Sequence, residues 1–200
     1  MPAPEATDGW KTFRSVRIAQ NVPMASTTDP NPPVHRIPSG QFILTAAYDG
    51  VRSGVLTRWV QPCAVHPPLV MVAVSQGLAI LPIIRDSRAF ALCQIRADDR
   101  LLQRSFHQPP DRGDDPFITL PARILERRTG SPIIDRALSY LDCEVVRTVD
   151  LDADHRLYVG RIVESGLLNE GAPPAIDIGT NGVFWGSNSM EPPRDETPRD

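Results

Sequence analysis

A chain of 200 residues with 41% hydrophobic and 22% charged side chains is long enough to bury one sizeable core, so a single globular domain is the default. A formal net charge of −3, with no block of like charges, gives no electrostatic footprint for nucleic acid or an anionic membrane surface. Cys63, Cys93 and Cys143 are odd in number and far apart, which suits neither a disulfide framework nor a C-x-x-C metal site; free thiols in a reducing compartment are expected.

Of the 21 prolines, 10 fall within residues 1–38 and 189–200, where they alternate with charged and small polar residues. The first segment is expected to be a Pro-rich arm, partly disordered or docked through Trp10, Phe13, Val16 and Ile18, and the second a disordered tail. Residues 39–188 are left as the folded domain. The strand pattern FILTAAY at 42–48 meets Asp49-Gly50, a dipeptide that tolerates positive φ at both turn positions, and Val51 to Val60 returns as the second arm of a hairpin. The apolar run PLVMVAVS at 68–75 predicts a strand buried on both faces, and Arg88 to Ile95 reads likewise. Between them a short helix fits within Leu78 to Ser87, with Pro82 limiting where its first turn lies.

A second helix is expected from Ala97 or Asp98 to Phe106, with Asp98 and Asp99 at the positive end of its dipole. The loop signals HQPPDRGDDP open a less regular stretch that continues to Gly130. Leu138 to Val149, a turn through DLDAD and Arg156 to Leu167 form a second long hairpin, and a last short pair around Ile176 and Val183 pivots on Asn181-Gly182. Phe42 to Ala47 and Leu69 to Val74 are far shorter than the roughly 20 apolar residues of a membrane helix, and no leader pattern opens the chain. No membrane association and a cytoplasmic location are therefore expected. So many consecutive antiparallel strands with two short helices predict a mainly β fold, a closed or partly closed barrel.

The stretch ILTAAYDGVRSGVLTRWVQPCAVHPPLVMVAVSQGLAILPIIRDSRAFAL resembles the core of the flavin reductase-like family, whose fold is the FMN-binding split barrel. The likeness lies in several ordered blocks: Thr57 to Gln61, Pro67-Pro68, Ile80 to Ser87 and Phe90 to Leu92, then DDPF at 114–117, YLDCEV at 140–145 and DADHRLYVGRIVESG at 152–166. It covers about residues 40–186. The resemblance implies a homodimer that binds FMN at the subunit interface and reduces flavin with NADH or NADPH.

Thr57, Arg58, Trp59, Val60 and Gln61 are then candidates to hold the ring, through backbone groups at its polar edge and through the Thr57 hydroxyl and Gln61 amide. Trp59 and Val60 equally suit a plain barrel core. Arg58 would meet the phosphate or the electron-rich ring, or else lie solvated at a strand end. Ser75, Gly77 and Leu78, at a strand-to-helix passage, would cradle the phosphate with backbone N–H groups. Arg85 and Arg96 are explained by helix-end dipoles as well as by phosphate binding. His155, by its place in the resemblance, would donate a hydrogen bond to the flavin or nicotinamide and serve in catalysis; a solvent-exposed turn histidine is the alternative.

Tyr158 and Val159 read as strand core, and Gly160 as a site of close approach by backbone or cofactor. Trp185 would supply aromatic cover, although Gly179 stands where relatives carry arginine and Cys93 where they carry asparagine. Cys63 reads as a small apolar filler. His35, His66 and His107 share no metal-ligand spacing, so no metal is expected. The expected activity is NAD(P)H-dependent reduction of FMN, with reduced flavin or electrons passed to a partner such as a monooxygenase. The alternatives are an FMN-holding storage, sensing or electron-transfer module and a flavin-free interaction barrel.

Overall fold

The computed structural model describes residues 37–177 and 183–184. Most of the N-terminal arm, the Asn181-Gly182 turn, Trp185 and the C-terminal tail lie outside the described residues. In chain order the elements are β1 (Ser39–Gly40), β2 (Phe42–Tyr48), β3 (Val51–Thr57), β4 (Val60–Ala64), β5 (Leu69–Ser75), α1 (Ile80–Ser87), β6 (Ala89–Gln94) and α2 (Arg100–Ser105). They continue with β7 (Ile124–Glu126), β8 (Pro132–Ile134), β9 (Ser139–Asp150), β10 (His155–Leu167), β11 (Ile176–Asp177) and β12 (Val183–Phe184).

The main sheet has seven strands in the order β3-β2-β6-β9-β10-β5-β4, every neighbour antiparallel. Its two edges, β3 and β4, are consecutive in sequence, joined only by Arg58 and Trp59. Laid flat, seven strands would set those edges roughly 29 Å apart, whereas two linking residues reach about 10 Å. The sheet therefore curls until its edges meet, giving the expected split barrel.

Side-chain alternation divides the core in two. Leu44, Val72, Phe90 and Leu92 pack in one cluster together with Ile80, Ile83 and Ile84 of α1. Their sequence neighbours Ile43, Ala91 and Cys93 pack in the other, with Leu102, Phe106, Phe117, Ile133 and Ile134. β6 is buried on both faces for this reason. At Gly160 the close approach comes from the protein itself: a Cβ there would lie 2.5 Å from the Phe90 ring and 2.9 Å from Cys143 Cβ.

The first hairpin turns at Asp49 and Gly50, with φ of 48° and 76°, as the dipeptide predicts. The second, β9 with β10, also stands where the alternation puts it. Several expectations are corrected. Val51 to Val60 is not one strand, because the chain leaves one sheet edge after Thr57 and joins the other at Val60. β5 is buried on one face only, Val70, Val72 and Val74 inside and Leu69, Met71, Ala73 and Ser75 half-buried outside. The second helix starts at Arg100, since the Asp99 side chain accepts the Leu102 N–H at 3.2 Å and so caps it, while Asp98 pairs with Arg96 at 2.6 Å. The stretch read as irregular contains a short strand, β7, which pairs with β8 just beyond it, and buried Asp142 braces their connection by accepting the Thr129 N–H at 2.9 Å and the Thr129 hydroxyl.

Cys63 is exposed on β4 and fills no gap in the core, which corrects its reading as a filler. Burial pushes the Cys93 thiol up to about 12 and raises that of Cys143 as well. Of the three cysteines, Cys63 alone should therefore react quickly with an aromatic disulfide reagent at neutral pH, and all three after guanidinium denaturation. Thiol titration of native and unfolded protein checks this, and rapid native release of more than one equivalent would contradict the buried placement.

Candidate functional site

Where the two sheet edges meet, a cavity of about 300 Å³ opens. Its walls are the end of β3 with Thr57, the linking residues Arg58 and Trp59, the end of β5 with Ser75, then Leu78 and, at the start of β10, His155. These side chains converge because Ser75 and His155 stand directly opposite each other in the β5–β10 ladder, and because the Trp59 carbonyl accepts the Ala73 N–H at 3.0 Å. The passage after β5 is tied to the β9–β10 turn twice: Gln76 donates its backbone N–H to the Asp154 carbonyl at 2.8 Å and its side-chain amide to the Ala153 carbonyl at 2.7 Å.

His155 is the polar centre of this wall. Its Nε2 lies 2.8 Å from Ser75 Oγ, and its ring sits 4.3 Å from the Trp59 ring between centroids, tilted by 40°. The other nitrogen, Nδ1, is buried and makes no directed hydrogen bond, although Asp154 Oδ1 is 3.0 Å away. That carboxylate is close enough to pair with a protonated imidazole but is not aligned to accept an N–H. The neighbouring imidazole holds the Asp154 carboxyl below its ordinary range.

Of the residues expected to hold a ligand, Thr57, Arg58, Trp59, Ser75, Leu78 and His155 are brought together here. Val60 turns into the barrel core at 7% exposure and Gln61 is exposed on β4, so neither lines the cavity. Gly77 borders an adjoining recess with Leu78. Trp185 lies outside the described residues. Arg85 pairs with Asp86 within the last turn of α1, and Arg96 with Asp98 just before α2. Cys93 is fully buried, receiving the Ile134 N–H at 3.5 Å, and does not line this cavity. Among the described residues no group of His, Cys, Asp and Glu is placed to hold a metal ion. Sequence reasoning missed Asp154 and the Ser75–His155 pairing, which depends on the register of strands 80 residues apart.

Residues 34–184 match the family model described as the flavin reductase-like domain. The chain belongs to that family. It is 33% identical over 127 residues to the reductase component of a 4-nitrophenol 4-monooxygenase/4-nitrocatechol 2-monooxygenase from Rhodococcus opacus, a match covering 64% of this chain and 65% of that protein. It is 28% identical over 130 residues to diflavin flavoprotein A 1 of Synechocystis, covering 64% of this chain and 22% of that one. The chain thus spans just under two thirds of the first relative and less than a quarter of the second. Among solved structures, the NADH:FAD oxidoreductase SgcE6 of Streptomyces globisporus superimposes with a TM-score of 0.68 at 20% identity, covering 76% of this chain and 89% of that one. A nitrilotriacetate monooxygenase component B homologue from Mycobacterium thermoresistibile gives 0.66 at 23% identity, covering 82% and 90%. These structural likenesses bear out the split-barrel fold.

Proposed function

We propose that this flavin reductase-like chain is an oxidoreductase that uses NADH or NADPH to reduce FMN and passes reduced flavin or electrons to a partner such as a monooxygenase. The observation that carries the reading is the cavity at the barrel seam, where an aromatic face, Trp59, adjoins hydrogen-bonding groups on Ser75 and His155. Such a mix of one flat apolar wall and a few fixed polar groups fits an isoalloxazine ring. The relative from Rhodococcus opacus, a monooxygenase reductase component, supports the choice of partner class.

The flavin, when bound, supplies the two-electron redox chemistry. The chain's own residues bind and orient. Thr57, Arg58 and Trp59 offer backbone and side-chain groups from the link between the sheet edges, and Ser75 fixes the His155 ring through Nε2. Asp154 Oδ1, 3.0 Å from Nδ1, faces the ring on its other side. Val60 and Gln61, outside the cavity wall, support the link from β4 and would act on a ligand only through it.

The reading includes a homodimer in the cytoplasm. The outer face of β5 and β10 supports the dimer, since half-buried Met71 and Ala73 lie opposite half-buried Val159 and Leu157 and together make an apolar sheet surface. Among the described residues no helix is long and apolar enough to cross a membrane.

Purified protein, which should run as a dimer in light scattering, is mixed with FMN and then with NADH or NADPH. Loss of nicotinamide absorbance with bleaching of the flavin band is the expected result. Bound flavin that neither donor reduces would instead favour the storage module, and failure to quench FMN fluorescence would leave an interaction barrel. His155→Ala should lower turnover roughly tenfold, the worth of one hydrogen bond at the ring. Unchanged turnover and affinity would return His155 to a turn residue.

A further inference from the structure

Ser75, His155 and Asp154 stand in a row whose chemistry exceeds the holding of a ring. In the β5–β10 ladder the Gln76 N–H donates to the Asp154 carbonyl at 2.8 Å, so Ser75 and His155, one step along, are a non-hydrogen-bonded pair. Side chains in such pairs approach most closely. Ser75 Oγ accordingly lies 2.8 Å from His155 Nε2, while Asp154 Oδ1 lies 3.0 Å from Nδ1 on the opposite side of the imidazole. The carboxylate draws the ring proton to Nδ1, which leaves the Nε2 lone pair to accept from the Ser75 hydroxyl. Hydroxyl, imidazole and carboxylate in this order are the parts of an activated serine nucleophile.

The surroundings suit such a nucleophile. Ser75 and His155 both line the seam cavity, whose other walls include the apolar Val55, Leu56, Trp59 and Leu78. The same ladder register turns the Ser75 N–H away from β10, to the edge on which the Ala73 N–H meets the Trp59 carbonyl at 3.0 Å. That N–H and the Thr57 hydroxyl are donors on the side where negative charge would gather on a carbonyl oxygen. Asp154 Oδ1 is not aligned on an Nδ1 proton, but its side chain is 86% exposed and rotates into line at no packing cost.

We propose that the seam cavity has a second activity, hydrolysis of small aryl esters, with Ser75 as nucleophile, His155 as general base and Asp154 as the residue that positions the ring. Ser75 Oγ attacks the ester carbonyl carbon and passes its proton to His155 Nε2. The new Oγ–C bond stays as the C–O bond to the aryl group breaks, and Nε2 returns the proton to the departing oxygen. Water, deprotonated by the same nitrogen, then cleaves the acyl-serine to the acid and free Ser75. Nothing is oxidised or reduced, so the activity stands apart from the flavin reading although both use one cavity.

The test treats flavin-free wild type with an aryl fluorophosphonate, which traps an activated serine as Oγ–P with loss of fluoride, and locates the adduct by mass spectrometry. Ser75 should be labelled, and labelling should abolish 4-nitrophenyl acetate hydrolysis, measured in a Cys63→Ser background so that the exposed thiol contributes nothing. His155→Ala should slow labelling a hundredfold or more, the usual worth of a general base. Asp154→Asn should slow it about tenfold and Asp154→Glu restore it, with thermal midpoints unchanged because the side chain is exposed. Wild type without an adduct on Ser75, or a labelling rate that His155→Ala leaves unchanged, would overturn the proposal. Ester hydrolysis that survives in Ser75→Ala would overturn it as well, since imidazole alone would then be the nucleophile. The two readings fail separately: labelled Ser75 in a protein that binds no FMN upholds this activity alone, and tight FMN binding with Ser75 unlabelled upholds only the flavin reading.

Discussion

Phe90→Ala should destabilise the fold by about 3–5 kcal/mol, the usual cost of emptying a fully buried aromatic site. Phe90 is fully buried in the inner core cluster, against Leu44, Val72 and α1. Its ring end occupies the space in front of Gly160, where an added Cβ would sit 2.5 Å away. Gly160→Ala alone should therefore also destabilise, by about 1–3 kcal/mol, because the core has no room to yield. Together the two changes should cost less than their sum, since the alanine at 160 enters the space that the lost ring leaves. Guanidinium unfolding of the single and double variants measures all three values. Additive losses would show that the two residues do not share the same space.

Trp59→Ala should weaken flavin binding roughly ten- to hundredfold, as expected for removing an aromatic face worth about 1.5–3 kcal/mol. The Trp59 ring is half-buried, so its removal touches the ligand more than the core. It also frees the His155 ring from its 4.3 Å neighbour, leaving that imidazole positioned by Ser75 and Asp154. Trp59→Phe keeps a flat ring in the wall and should bind within about threefold of wild type. Fluorescence quenching by titrated protein gives both constants, and a Trp59→Ala affinity equal to wild type would remove the ring from the site.

The parts of the fold that sequence made legible are those whose pattern is local. Alternation in FILTAAY with Asp49-Gly50, the uninterrupted run of β6, and the β9–β10 hairpin each carry their own signal. The break at Arg58 and Trp59 does not, because neither residue disfavours an extended strand; only the pairing of Val60 with Val72, on the opposite sheet edge from β3, reveals it. β1 is similarly invisible, being a short strand created by a partner distant in sequence. At the site, Thr57 to Trp59 and His155 line the cavity, whereas Val60 and Gln61 lie outside its wall once the chain has crossed the seam.

The seam has a further consequence for motion. With β3 and β4 both at sheet edges and only Arg58 and Trp59 strapping them together, the ends of this barrel separate without breaking a ladder between them. A ligand touching β3, the strap, β5 and β10 at once acts as a clasp, and its binding free energy is added to the cost of every excursion that parts the strands. Amide protons of Leu56 and Ala73, donated to Phe106 and to Trp59 beside the cavity, are thus the natural reporters: saturating ligand should slow their exchange with solvent while protons deep in β6 and β9 keep their own, slower clock.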